Sequence, residues 1–200
     1  VNNAGYGVPG RYVATDWQRQ RDFLQVLVTA VAELTHRLLP GMVARKWGRV
    51  LNIASLAGML AVPGQALYAG TKFAVVGLST ALADEFAPQG VDISCVLPTF
   101  TNTELISGTT ATGATKPVQP EDIAAAIVKT LDNPKTAVSV PYPLRFVAAA
   151  TAFLPARGRR WLSAKMGTDR VFLDFDTHAR AAYEQRAQTA TGVLETPPES

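Results

Sequence analysis

A single cysteine in 200 residues excludes a disulfide framework and a cysteine-built metal site. That residue, Cys95, sits in the apolar run VDISCVLP and reads as a small buried hydrophobe. With only two histidines, the one tempting ligand cluster is Asp174, Asp176 and His178 in LDFDTH. A capping role for Asp176 ahead of THARAAYEQRAQ is the simpler reading, and no metal is expected. No contiguous apolar run reaches the roughly 18 residues of a membrane-spanning helix, and the start shows no charged segment leading into an apolar one. A cytoplasmic location is the working expectation. An initiator methionine is missing as well: the chain opens VNNAGYG, which reads as a strand end breaking into a loop.

Charge is scarce, at 18% of residues, and the net +3 is unevenly placed. Between Pro141 and Arg170, Arg145, Arg157, Arg159, Arg160, Lys165 and Arg170 stand against Asp169 alone, so the remainder of the chain is net acidic. Nucleic-acid binding calls for basic residues interleaved with aromatics along one face, which the rest of the chain lacks, and is not expected.

What the chain has in quantity is apolar residues, 48% of the total, enough for a sizeable core in roughly one domain. Asp16 looks like an N-cap. From Trp17 to Arg45 the residues Phe23, Val26, Leu27, Ala30, Val31, Leu34, Leu38 and Met42 recur at helical spacing, with an adjustment expected at Pro40 and Gly41. GRVLNIAS reads as a strand, Gln65 to Phe86 as a helix, VDISCVL as a strand, Glu121 to Leu131 as a helix and TAVSV as a last strand. This alternation predicts an α/β fold, a parallel sheet covered on both faces.

The chemistry lies in SLAGMLAVPGQALYAGTK, residues 55–72. Tyr68 and Lys72 are four apart on a predicted helix and share a face. Alone that pairing is weak, because a solvated tyrosine above a solvated lysine is commonplace. Ser55 strengthens it by falling where a strand ends, the carboxyl edge at which parallel sheets bind ligands.

Together these residues make the chain resemble the carboxyl-terminal part of a classical short-chain dehydrogenase/reductase. The Asn-Asn-Ala-Gly motif is matched by Asn2, Asn3, Ala4 and Gly5. The catalytic serine thirteen residues before a Tyr-x-x-x-Lys pair is matched by Ser55, Tyr68 and Lys72. The loop that meets the nicotinamide is matched in part by Pro98, Thr101 and Thr103. The similarity runs from Val1 to about Pro141.

The resemblance implies a doubly wound parallel sheet of Rossmann type, with residues 1–141 as the later part of that domain and 142–200 as a helical extension. It also implies that the first strands, with the phosphate-cradling glycine-rich loop, occupy roughly 80 residues ahead of Val1 and are missing here. The 200-residue piece alone is therefore expected to be inactive.

The implied activity is NAD- or NADP-dependent interconversion of an alcohol and a ketone or aldehyde. Tyr68 would be the acid/base, favoured as phenolate by the Lys72 ammonium. Lys72 would also hold the cofactor ribose, and Ser55 would position the substrate oxygen. Asn3, Ala4, Gly5, Pro98, Thr101 and Thr103 would complete the cofactor site, and a homo-oligomer is implied.

Two departures stand out. Leu27 falls where family members carry an asparagine that holds a proton-relaying water, and Thr99 replaces a glycine after Pro98, which disfavours a positive φ there. A noncatalytic ligand-binding or regulatory relative is the alternative reading. The Thr/Gly-rich stretch 101–120 corresponds to a mobile lid in the family, with plain surface disorder as the other reading. The apolar segment Tyr142 to Leu154, followed by ARGRRWLSAK, suits an apolar substrate or weak contact of 142–165 with a membrane surface, although packing against the body is the simpler reading.

Overall fold

In a computed structural model that describes residues 1–109 and 117–190, the chain begins on the edge of a parallel sheet. Asn2 bridges Asn52, its N–H donating to the Leu51 carbonyl at 2.8 Å while Ile53 N–H donates to the Asn2 carbonyl at 2.9 Å. Asp16 caps the first helix by accepting from Arg19 N at 3.1 Å. That helix runs through α1 (Trp17–Leu24), a π-helical turn (Gln25–Thr29) and α2 (Ala30–Ala44) without a break.

The irregularity is at Gln25–Thr29 rather than at Pro40, which sits inside α2 at an exposed position. A π turn takes more residues than an α turn, so the buried face shifts by one residue. Phe23, Leu27, Thr35 and Leu39 face the core, whereas Leu34 and Leu38, expected inside, are exposed.

The remaining elements alternate as expected: β1 (Gly48–Ile53), α3 (Ala66–Phe86), β2 (Val91–Pro98), α4 (Pro120–Asp132) and β3 (Ala137–Val140). The strands lie parallel in the order β1-β2-β3, with Asn52 opposite Cys95 and Cys95 opposite Ala137. Side chains alternate across the sheet. Val50 and Ile93 pack with Leu39 and Ala83 under α2 and α3, and Cys95 and Leu97 pack with Ala54 and Val75. On the opposite face Leu51 and Val96 pack with Ile123 of α4. The fold is α/β with helices on both sides of a parallel sheet.

After β3 come α5 (Leu144–Ala152), α6 (Ala156–Met166) and α7 (Thr177–Ala190). Phe146, Phe153 and Trp161 stand exposed here, but the segment returns to the body at Val171 and Phe172, both buried. Phe172 stacks on Phe100 with ring centroids 5.5 Å apart and 13° between planes. Gly64, at φ +79°, permits this return: a Cβ there would lie 2.6 Å from the Phe172 carbonyl. Asp176 caps α7, accepting from His178 N at 2.8 Å and Ala179 N at 3.2 Å.

Although no contiguous apolar run is long enough, two helices, Trp17–Ala44 and Ala66–Gln89, have the length and mean hydropathy (1.3) to cross a membrane. Both cover the sheet, and the second carries Lys72.

Candidate active site

Ser55 leaves β1 in extended backbone (φ −171°) and enters a 3-10 turn, Leu56–Gly58. Its Oγ accepts from Ala57 N at 3.1 Å and donates to the Pro98 carbonyl at 3.4 Å, which ties the end of β1 to the end of β2. The turn can lie against α3 only because Gly58 has no side chain: a Cβ there would meet the Lys72 carbonyl at 2.7 Å and Val76 Cγ2 at 2.8 Å. Close approach of turn to helix brings Ser55 beside the Tyr68 hydroxyl on the wall of one cavity.

Lys72 is 9% exposed, and its ammonium donates to the Ile53 carbonyl at 2.9 Å while lying 5.6 Å from the Tyr68 ring centroid. The strand end that receives it is itself held by a buried chain: Asn2 Nδ2 donates to Asn52 Oδ1 at 2.8 Å, Asn52 Nδ2 to Ser79 Oγ at 2.9 Å, and Ser79 Oγ to the Val75 carbonyl at 2.7 Å. One network thus joins the opening motif, β1 and α3.

Burial pushes the Tyr68 phenol above its usual value, and the Ser55 hydrogen bond pulls it partway back. Burial lowers the Lys72 ammonium to about 8. The expectation that Lys72 would draw Tyr68 toward phenolate is therefore corrected, because desolvation is the largest influence on both groups and favours their neutral forms. A protonated phenol is the form that can give up a proton.

The predicted residues converge on one cavity of 560 Å³ at the carboxyl ends of the strands, lined by Asn3, Gly5, Ser55, Tyr68, Lys72, Pro98, Thr101 and Thr103. Ala4 is not on its wall. Leu60, Leu105, Ile106, Val147, Met166 and Phe172 give it apolar sides.

Leu27, at 2% exposure, also lines the cavity and would sit 3.7 Å from a Cβ at Gly5. Thr99 needs no positive φ: its N–H donates to the Val140 carbonyl at 3.1 Å, continuing the β2-β3 pairing, and Lys46 is the only non-glycine with positive φ among the described residues. Of the stretch 101–120, residues 110–116 lie outside the described residues.

Gly5, Gly7 and Gly10 spell G-x-G-x-x-G, which corrects the expectation that the chain holds no glycine cluster of that kind. The structure gives it a different use. Gly7 N–H donates to the Tyr183 hydroxyl at 3.1 Å and Gly10 N–H to the Gly64 carbonyl at 2.9 Å, so these amides are not free to cradle a phosphate. The next α-helix opens only at Trp17. Arg180, which lines the cavity from α7, was not anticipated either; an arginine on a polar helix carries no sequence signal of burial.

The short chain dehydrogenase family model matches residues 1–113. The very-long-chain 3-oxoacyl-CoA reductase of Mycosarcoma maydis is 34% identical over 170 residues, covering 81% of this chain and 47% of the relative. The human estradiol 17-beta-dehydrogenase 11 is 30% identical over 192 residues, covering 94% of this chain and 61% of the relative. The chain thus spans about half the length of the first of these and less than two thirds of the second. Among solved structures, a short-chain dehydrogenase from Streptomyces avermitilis superposes with a TM-score of 0.63 at 31% identity, over 84% of this chain and 69% of that one. With a family match over more than half its length, falling on the same strand ends that build the cavity, the chain belongs to the short chain dehydrogenase family.

Proposed function

We propose that the protein is an NAD- or NADP-dependent oxidoreductase that interconverts an apolar alcohol and its ketone or aldehyde. The observation that carries this reading is the meeting of Ser55, Tyr68 and Lys72 in one apolar-walled cavity at the carboxyl ends of parallel strands. The two named relatives, a very-long-chain 3-oxoacyl-CoA reductase and an estradiol dehydrogenase, support an apolar substrate.

The residues fit a nicotinamide dinucleotide. Lys72 has three donor hydrogens and one protein acceptor, Ile53, so its remaining donors face the cavity and suit ribose hydroxyls. Asn3, Gly5, Pro98, Thr101 and Thr103 would hold the rest of that end of the cofactor. Bound there, it supplies or accepts the hydride.

The chain's own groups do the remaining work. Ser55 Oγ donates to the substrate oxygen and stabilises the charge that develops on it. Tyr68, kept protonated by burial, passes its proton to that oxygen during carbonyl reduction. Lys72, one helical turn away, is anchored on the Ile53 carbonyl and holds the cofactor ribose beside that phenol. The apolar walls exclude water and favour an extended or fused-ring hydrocarbon over a sugar.

Tyr68→Phe in the full-length protein tests the assignment. It should abolish turnover, by about 10²-fold or more, and leave cofactor affinity by fluorescence titration within about twofold, because a lost general acid affects the chemical step alone. Substantial residual turnover would remove Tyr68 from its role. Leu27 favours the second reading, a ligand-binding relative without turnover, because a leucine against Gly5 cannot hold a relaying water.

A further inference from the structure

The carboxyl-terminal helix lies outside the residues that match the family model, yet one of its side chains reaches the cavity. Arg180, on the first turn of α7, is 1% exposed. Its Nη1 donates to the Leu105 carbonyl at 2.8 Å and the Ser107 carbonyl at 3.2 Å, and its Nη2 donates to the Gly7 carbonyl at 2.9 Å. Nε donates to Glu184 Oε1 at 3.0 Å, and the other Glu184 oxygen takes Arg19 at 2.7 Å. The guanidinium carbon lies 4.7 Å from the Tyr183 ring centroid, and the Tyr183 hydroxyl accepts from Gly7 N–H at 3.1 Å. Both backbone groups of Gly7 are therefore held by α7.

These contacts join two walls that no strand pairing joins. Gly7 follows the opening motif, which lies on the cofactor side, and Leu105 to Ser107 follow Thr101 and Thr103 after β2. Gly7, Leu105, Ile106 and Arg180 all line the cavity. Gly108 extends the seam: its carbonyl accepts from Asp176 N at 2.8 Å, and at φ +77° a Cβ there would lie 2.3 Å from the Asp176 carbonyl. A planar, permanently charged fork suits three carbonyls arriving from two directions, which a lysine cannot reproduce.

We propose that Arg180, assisted by Tyr183, is a positioning residue that sets the width of the substrate pocket by latching the Gly7 loop to the Leu105–Ser107 loop. Among the described residues the latch makes no hydrogen bond to Ser55, Tyr68 or Lys72, and Tyr183 bears on Tyr68 only as the smallest electrostatic influence. Loss of the latch should therefore weaken substrate binding more than the chemical step. This inference rests on the oxidoreductase reading above.

The experiment compares the full-length wild type with Arg180→Gln, Arg180→Lys and Tyr183→Phe on unbranched 2-alkanones of increasing chain length. Arg180→Gln should raise KM for the best long ketone about tenfold or more, as loss of charge-assisted bonds implies. In the same variant kcat should stay within about threefold and the chain-length preference should flatten. Arg180→Lys should not restore the wild-type KM. Hydrogen exchange at residues 5–8 and 104–108 should accelerate in Arg180→Gln, and at Gly7 in Tyr183→Phe. Faster exchange with an unchanged KM profile would reduce Arg180 to a structural tether and overturn the proposal, as would unchanged exchange or an equal fall in kcat. If Arg180→Gln does not fold, Tyr183→Phe carries the same comparison. A wild type that turns over no alcohol or ketone refutes the oxidoreductase reading alone. The latch is then judged by calorimetric binding of 2-tetradecanone, where an Arg180→Gln affinity equal to wild type overturns it.

Discussion

Lys72→Met should remove activity without weakening the fold at neutral pH, and burial of the ammonium sets the direction of that effect. Burial lowers the Lys72 ammonium from 10.5 to about 8, so carrying its proton costs the folded state roughly 3 kcal/mol at pH 7. The folded pKa lies below the unfolded one, so the unfolded chain binds more protons between about 8 and 10.5. Stability contributed by this group therefore rises with pH through that window, and the penalty shrinks to roughly 1 kcal/mol at pH 10. Methionine removes the penalty but leaves the Ile53 carbonyl without the donor 2.9 Å away, a loss of about 1–3 kcal/mol. At pH 7 the variant should be as stable as the wild type or up to about 2 kcal/mol more stable, and at pH 10 the order should reverse or the gap close. Urea titrations of the full-length pair at the two pH values measure it. Other titrating groups, Tyr68 included, are common to both proteins and cancel. A variant destabilised by more than about 2 kcal/mol at pH 7, or a difference independent of pH, would refute the assignment of a desolvated ammonium.

Gly58→Ala places a methyl 2.7 Å from the Lys72 carbonyl, so the turn bearing Ser55 must move away from α3. The expected result is a loss of about 1–3 kcal/mol in stability with kcat down by up to about 10²-fold, read from denaturation and steady-state kinetics; wild-type kcat would show that Ser55 needs no such placement. Leu27→Asn restores a polar group in the π turn and should raise kcat severalfold while lowering the thermal midpoint, since a polar side chain then occupies a 2% exposed position; a fall in kcat would place the proton route elsewhere.

Much of this site could be read from the sequence because its determinants are local. The four-residue spacing of Tyr68 and Lys72 lies on a helix whose existence follows from periodicity. Ser55 follows a strand whose alternation is plain, and strand-end placement then follows from parallel topology. Asp16 and Asp176 could be read as caps for the same reason. What could not be read depends on packing at a distance. Nothing in QVLVT marks a π turn, and that turn moves the buried positions from Leu34 and Leu38 to Thr35 and Leu39. Helical spacing shows that Tyr68 and Lys72 share a face but not that the ammonium turns to the Ile53 carbonyl, so the balance of burial against charge was inaccessible. Arg180 joins loops more than 70 residues away in sequence, beyond any local pattern.

The burial of Cys95 at the centre of the sheet has a practical consequence. It is the sequence's only cysteine, it is 0% exposed, its Sγ donates to the Thr136 carbonyl at 3.3 Å, and burial pushes its thiol up to about 11. Maleimides and methanethiosulfonates react with accessible thiolate, so these residues are close to silent toward them at neutral pH. A cysteine introduced at an exposed site such as Ala150 on α5 would be the one reactive handle within these 200 residues. A nitroxide or fluorophore attached there would report movement of α5 against the sheet while Cys95 stayed unlabelled.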